Sequence, residues 1–177
     1  MRSGALCLRA ESKKRVKTWK SELTSDEIQK VRGRSARASE KDSPTTPTRQ
    51  NYLKYIYLEE KEKGHARACR ITEQLGVTRS TVALTFRELR AEGFISYEPY
   101  SPIRLTEKGR AVAAEIVRRY LAVKHFSRTV LELDEAMSEK IACELEHVIS
   151  DAIAERLLEV AKAHEEQSAG APVPESA

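Results

Sequence analysis

From Asn51 onward apolar residues recur at helical spacing: NYLKYIYLEEKEKG sets Tyr52 and Ile56 four apart, with Leu53 and Tyr57 beside them, before Gly64 ends the run. The spacing predicts a first helix. RACRITEQLG then places Ile71 and Leu75 four apart and stops at Gly76, the residue type that most readily closes a helix with a left-handed turn. Thr78 is positioned to cap RSTVALTFRELRAEG, where Val82, Phe86 and Leu89 form one inward stripe up to Gly93. Two helices joined by a short Gly-containing turn form a helix-turn-helix candidate.

Beyond Gly93 the period changes. FISYEPYSPIRLT carries Ile95 and Tyr97, then Ile103 and Leu105, as short β-like pieces around Pro99 and Pro102, which predicts a hairpin, or wing, behind the second helix of the motif. Thr106 can cap a long helix, EKGRAVAAEIVRRYLAVKHF, with Val112, Ile116, Tyr120 and Val123 along one face. Two further helices are expected, SEKIACELEHVI and DAIAERLLEVAKAH, the second with Ser150 as N-cap. The fold class expected is mainly α, a winged helix-turn-helix domain followed by an all-helical domain.

Both ends of the chain lack such periodicity. Residues 1–48 are rich in Lys, Arg, Ser and Thr with one weak helical patch near TSDEIQKV, and residues 167–177 are a Pro/Ala-containing tail. The expected organisation is therefore a mostly disordered basic arm at 1–48, the winged domain at 49–106, a linker helix and helical domain at 107–166, and a disordered tail.

Charge sharpens this division. The 177 residues carry 31 Lys+Arg against 27 Asp+Glu, but residues 1–50 hold 13 and 6, residues 51–119 hold 13 and 9, and residues 120–177 hold 5 and 12. The blocks are therefore +7, +4 and −7. A basic front half suits a polyanionic partner, although a solvated basic tail gives the same count. Cys7, Cys69 and Cys143 are too few and too scattered for a disulfide framework. No apolar run approaches the length of a transmembrane helix, so the reading is a cytosolic protein with no membrane partner.

On the second helix of the motif the core stripe leaves Arg79, Ser80, Thr81, Ala83, Leu84, Arg87 and Arg90 facing outward. Arg87 and Arg90 are placed for phosphates, while Ser80, Thr81 and Leu84 can read base edges or thymine methyls in a major groove. Lone arginines on a helix are usually just solvated. The helix-turn-helix, the wing and the basic balance together favour DNA.

A second constellation is Cys143, Glu146 and His147, a C-x-x-E-H run whose spacing places all three on one face of a helix, with Glu139 one turn earlier. Ile141, Leu145 and Val148 fall on the opposite face and are expected to bury against a partner helix. A thiolate, a carboxylate and an imidazole suit a divalent transition metal rather than magnesium or calcium. Alone the run is weak, since a helical Cys is mostly packing and a Glu-His pair mostly surface. His65 and Cys69 are also four apart, but the plainer reading is a residue pair at a helix start.

Taken in order, NYLKYIYLEEKEKG, ITEQLGVTRSTVALTFRELRAEGFI, LTEKGR and CELEHVISDAIAERL resemble the iron- and manganese-dependent repressors typified by diphtheria toxin repressor and the manganese transport regulator. The resemblance covers about Arg49 to His164. It implies a homodimer whose divalent metal, Mn²⁺ or Fe²⁺, joins a dimerisation domain to a DNA-binding domain and so favours binding of a double-stranded operator. Cys143, Glu146 and His147 match the primary-site residues of the iron-responsive branch. The family's helix-one ligand falls on Asn51 and its second-site His on Glu139. Elsewhere the chain departs from the pattern: a carboxylate of the manganese branch falls on Lys54, the linker-helix His on Tyr120, and the carboxylate after it on Lys124.

The function expected is a DNA-binding transcriptional regulator, a metal-responsive homodimeric repressor of metal-homeostasis genes. The alternative is a winged-helix dimer that binds DNA without metal, or that responds to oxidation of Cys143. An enzyme using Cys143 and His147 as nucleophile and base is not expected, because neither a phosphate-binding Gly loop nor a G-x-S-x-G element is present.

Overall fold

A computed structural model describes residues 45–98 and 101–169. The expectations for the basic arm through residue 44, including Cys7 and the TSDEIQKV patch, for the wing tip at 99–100 and for the tail from 170 lie outside the described residues. The rest forms two compact units, one ending at Val117 and the other beginning at Arg118.

The first unit opens with α1 (Pro47–Lys63). Thr46 caps it by accepting from the Arg49 amide, and Pro47 sits at its first turn, where no backbone donor is needed. After α2 (Ala68–Leu75) and α3 (Arg79–Ala91) come β1 (Ile95–Ser96) and β2 (Arg104–Leu105). Gly64 and Gly76 take φ of 74° and 62° at the ends of α1 and α2, the left-handed conformation a Cβ would strain. Thr78 caps α3 through the Thr81 amide, as its position predicts.

Tyr52, Leu53, Ile56, Ile71, Val82, Phe86 and Leu89 are all buried, so the periodic apolar positions of the three helices are the core. Tyr52 meets Phe86 edge-on with centroids 6.1 Å apart. The wing is smaller than its β-like residues suggest. β1 and β2 pair antiparallel over two residues each, Ile95 opposite Leu105, and Tyr97 lies outside the strand. Ile103 instead donates to the Ala66 carbonyl at 2.9 Å, a bridge to the α1–α2 connection that no local pattern announces.

The helix α4 (Glu107–Thr129) gives residues 107–117 to the first unit and 118–129 to the second. Thr106 serves its start by accepting from the Gly109 amide at 3.1 Å. In the second unit follow α5 (Glu135–Leu145), capped by Asp134, and α6 (Asp151–Ala169), where Ser150 accepts from the Ile153 amide. Thus α6 runs five residues beyond the His164 end that the periodicity predicts. The preceding helix begins three residues before Ser138 and ends at Leu145 rather than Ile149.

Oppositely charged side chains bind this unit together. Arg118, almost fully buried, meets Asp151 at 2.9 Å and Glu155 at 3.1 Å, and Arg119 meets the same Asp151 oxygen at 2.8 Å. Burial alone would raise the Asp151 carboxyl, but Arg119 and then Arg118 outweigh it and hold the carboxyl below its ordinary value of 3.8. Its stabilising contribution is therefore present above that value and is lost as pH falls through the lower folded one. Asp151→Asn is expected to destabilise the unit by about 1 kcal/mol at neutral pH, a figure kept small because the pair is partly solvated. Thermal melts of both proteins should converge below pH 3.8. A difference that stays constant with pH would remove the ion pair as its cause.

Candidate functional site

The α3 face predicted to meet DNA is exposed throughout: Arg79, Ser80, Thr81, Ala83, Leu84, Arg87 and Arg90 all lie on the surface. Its origin is the buried stripe on the other side, which fixes the rotation of the helix. Thr78 Oγ1 lies 2.8 Å from Ser80 Oγ and 2.9 Å from Thr81 Oγ1, so the three hydroxyls form one hydrogen-bonded group at the helix start. Half of Leu84 is exposed, an apolar tip at the centre of a polar face. The guanidinium of Arg90 lies 5.3 Å from the Tyr97 ring centroid, which steadies it over the wing side of the helix.

Two contributions were not named from the sequence, although one of them had a local signal. On β2, Arg104 is exposed between buried Ile103 and Leu105, an alternation that does mark it as an outward basic residue of the wing. On α1, Arg49 reaches α3, with Nη2 3.0 Å from Glu88 Oε2 and Nη1 2.5 Å from Glu92 Oε1. Nothing local signals a contact between residues about forty positions apart.

In the second unit the C-x-x-E-H run does not lie on one helix. Cys143 is in α5, half-buried, but Glu146 and His147 follow the helix end in a turn where the Val148 and Ile149 amides both donate to the Leu145 carbonyl. Within the single chain the apolar side of the run is the exposed one. Ser138, Ala142 and Glu146, four apart in succession, are the buried positions, and Glu146 has 0% of its surface exposed. Leu145 and Val148 are instead 39% and 73% exposed, and Ile141 is only half-buried. Ser138 and Ala142 are small residues, and with Glu146 they form the buried side of the run.

Glu146 Oε1 stands 3.2 Å from His147 Nε2, which brings these two candidate ligands together. Glu139 is half-buried in α5, and Asn51, half-buried in α1, belongs to the other unit. Among the described residues no group of three or more His, Cys, Asp or Glu side chains is gathered closely enough to hold a metal ion. By chemistry the donors fit one: a thiol, a carboxylate and an imidazole within five residues, with Glu146 and His147 largely withdrawn from water.

The departures from the repressor pattern are now located. Lys124 is buried, and its ammonium is neutralised by an ion pair with Glu135, which Arg128 also contacts. Lys54 is 1% exposed, so it is not turned out to solvent, and its ammonium lies 5.1 Å from the Tyr55 ring centroid. Tyr120 is buried, and His125 is engaged by Glu165 at 3.0 Å. Both ring nitrogens of His65 are occupied, Nδ1 by the Lys63 carbonyl and Nε2 by Arg67, while Cys69 is exposed.

Comparison with known proteins agrees with both halves. Residues 44–103 match the model of the iron dependent repressor N-terminal DNA binding domain, and residues 106–175 that of the iron dependent repressor metal binding and dimerisation domain. An uncharacterized HTH-type transcriptional regulator from Methanocaldococcus jannaschii is 38% identical over 61% of this chain and 87% of its own length. The HTH-type transcriptional regulator MntR of Bacillus subtilis is 30% identical over 71% of this chain and 87% of its own. Diphtheria toxin repressor of Corynebacterium efficiens is also 30% identical, over 72% of this chain but 55% of its own.

Two solved structures share the fold. The manganese regulator SloR has a TM-score of 0.57 at 25% identity over 67% of this chain, and a manganese-dependent transcriptional repressor in complex with manganese has 0.58 at 26% over 64%. This chain spans 55% and 52% of those two, about half of each. The matches, the capped recognition helix and its exposed basic face converge on one conclusion: the chain belongs to the iron-dependent repressor family of DNA-binding, metal-responsive transcription regulators.

Proposed function

We propose that this protein is a homodimeric repressor that binds a double-stranded operator in the cytoplasm when Mn²⁺ or Fe²⁺ is present. The observation that carries the reading is the outward face of α3, where hydroxyls, an apolar tip and arginines follow one another from the N-terminus. Ser80, Thr81 and Leu84 meet base edges, Arg79 lies at the groove entrance, and Arg87 and Arg90 meet phosphates, with Arg104 of the wing beside them. Family membership favours this over the metal-independent and thiol-responsive alternatives.

Binding selection from a randomised duplex pool, with and without Mn²⁺ or Fe²⁺, tests it directly. Enrichment of one sequence only with metal is the expected result, and equal enrichment in a chelator would overturn the metal response. Arg87→Ala and Arg90→Ala are each expected to weaken binding roughly tenfold on all duplexes and to reduce the slope of affinity against salt by about one. A loss confined to one sequence would reassign either residue to base reading.

The proposed ligands are Cys143, Glu146 and His147, with Glu139 and Asn51 as the remaining candidates. When bound, the metal supplies a fixed positive charge that neutralises the buried carboxylate. A cation shifts a two-state equilibrium only by its difference in affinity for the two states, so the response requires these donors to be better placed in the DNA-binding form.

The exposed Leu145, Val148 and Ile153 form the proposed seat of the second copy. They flank the turn that carries Glu146 and His147, and the helix they leave open was expected from its sequence to pack on a partner helix. Val148→Glu is expected to convert the dimer to monomer in sedimentation while leaving helical content unchanged. An unaltered dimer would place the interface elsewhere.

A further inference from the structure

We infer that Arg49 is a positioning residue of the DNA interface: from α1 it holds and neutralises two carboxylates that the recognition helix would otherwise present beside the phosphates. The inference rests on the DNA-binding reading of α3.

Residues 79–92 contain Arg79, Arg87 and Arg90 against Glu88 and Glu92. The recognition segment alone is therefore barely cationic. Glu88 lies one helical turn beyond Leu84 and next to Arg87, at the margin of the outward face. The side chains of Glu88 and Glu92 remain 42% and 35% exposed, so their charge is close to solvent and to any polyanion lying along the helix.

Arg49 answers both. Its two terminal nitrogens divide between the carboxylates, 3.0 Å to Glu88 and 2.5 Å to Glu92, and it is the least exposed of the three at 27%. The hydrogen bond to Glu88, and then the charge of Glu92, raise its guanidinium above the ordinary value. The planar fork of an arginine can satisfy two acceptors at once, which a lysine ammonium does with less geometric definition. Bound this way, Glu88 and Glu92 are drawn toward α1, away from the face that carries Leu84 and Arg87. With Arg49 counted, the charge offered to DNA by this surface doubles. The effect acts through space, so salt must weaken it.

Binding of the full-length protein to a fluorescein-labelled duplex of mixed sequence, followed by anisotropy across a salt series, tests the inference. Such a probe reads the phosphate contribution without needing the operator. Arg49→Gln is expected to bind roughly threefold to tenfold more weakly at low salt, with the gap closing as salt rises. The triple variant R49Q/E88Q/E92Q is expected to regain wild-type affinity, because the charges that required masking are gone.

Wild-type binding by R49Q, a triple variant as weak as R49Q, or a gap that ignores salt would each overturn the masking role. The last two would make Arg49 a structural strut. If R49Q does not fold, E88Q/E92Q carries the test: with Arg49 released it should bind more tightly than wild type, and weaker or equal binding overturns the proposal. Failure of the wild-type protein to bind any duplex would instead remove the DNA-binding reading on which the inference stands.

Discussion

Gly109→Ala should destabilise the winged domain by about 3 kcal/mol, near the upper end for overpacking, because the added carbon meets main chain that cannot rotate away. A Cβ at position 109 would fall 1.9 Å from the Phe94 carbonyl oxygen, 2.8 Å from its carbon and 3.2 Å from its Cα. The crowding is built by several bonds that join the start of α4 to the end of α3. The Thr106 amide donates to the Phe94 carbonyl at 3.0 Å, the Thr106 hydroxyl donates to the Gly93 carbonyl at 2.7 Å, and Lys108 donates to the Glu92 carbonyl at 2.9 Å. Lys108 also lies 4.2 Å from the Phe94 ring centroid.

Phe94 is itself buried, so it cannot retreat from the new methyl group without opening the core. Thermal or urea unfolding of the variant measures the loss. Because the same bonds set the wing against the recognition helix, DNA affinity should fall with stability in Gly109→Ala. A variant as stable as wild type would show that the Phe94 backbone has room to move.

The second large effect is expected at the proposed metal ligands. Cys143→Ala should lower Mn²⁺ and Fe²⁺ affinity by more than roughly a hundredfold, beyond the range seen when only a supporting partner of a ligand is lost. Glu146→Gln should do the same while preserving the volume of a side chain with no exposed surface. Both should then bind DNA equally with metal and with chelator. Calorimetric titration with Mn²⁺, Fe²⁺, Zn²⁺ and Co²⁺ reads the affinities, and the duplex assay reads the consequence. Zn²⁺ and Co²⁺ bind thiolate well, so Cys143→Ala should cost them more than it costs Mn²⁺. An isotherm identical to that of wild type would exclude Cys143 as a ligand.

Glu135 explains why Lys124 need not oppose a cation. Its carboxylate already holds the Lys124 ammonium, and Arg128 shares it.

What the sequence determined by itself is the winged domain and the face it presents. Local rules agree there: Gly64 and Gly76 close helices in the left-handed conformation, Thr78 and Thr106 act at helix starts, and the stripe of Val82, Phe86 and Leu89 leaves the residues proposed to face DNA outside. The ends of the last two helices and the sides of the C-x-x-E-H run were decided in three dimensions. Apolar Leu145 and Val148 look like core residues in any window of the chain, yet Ser138, Ala142 and Glu146 hold the buried positions and leave them exposed in the single chain. The Arg49 contacts with Glu88 and Glu92, and the Ala66 bridge to Ile103, were settled the same way. Capping and periodicity act over a few residues, whereas burial and charge pairing depend on which distant segments the fold brings together.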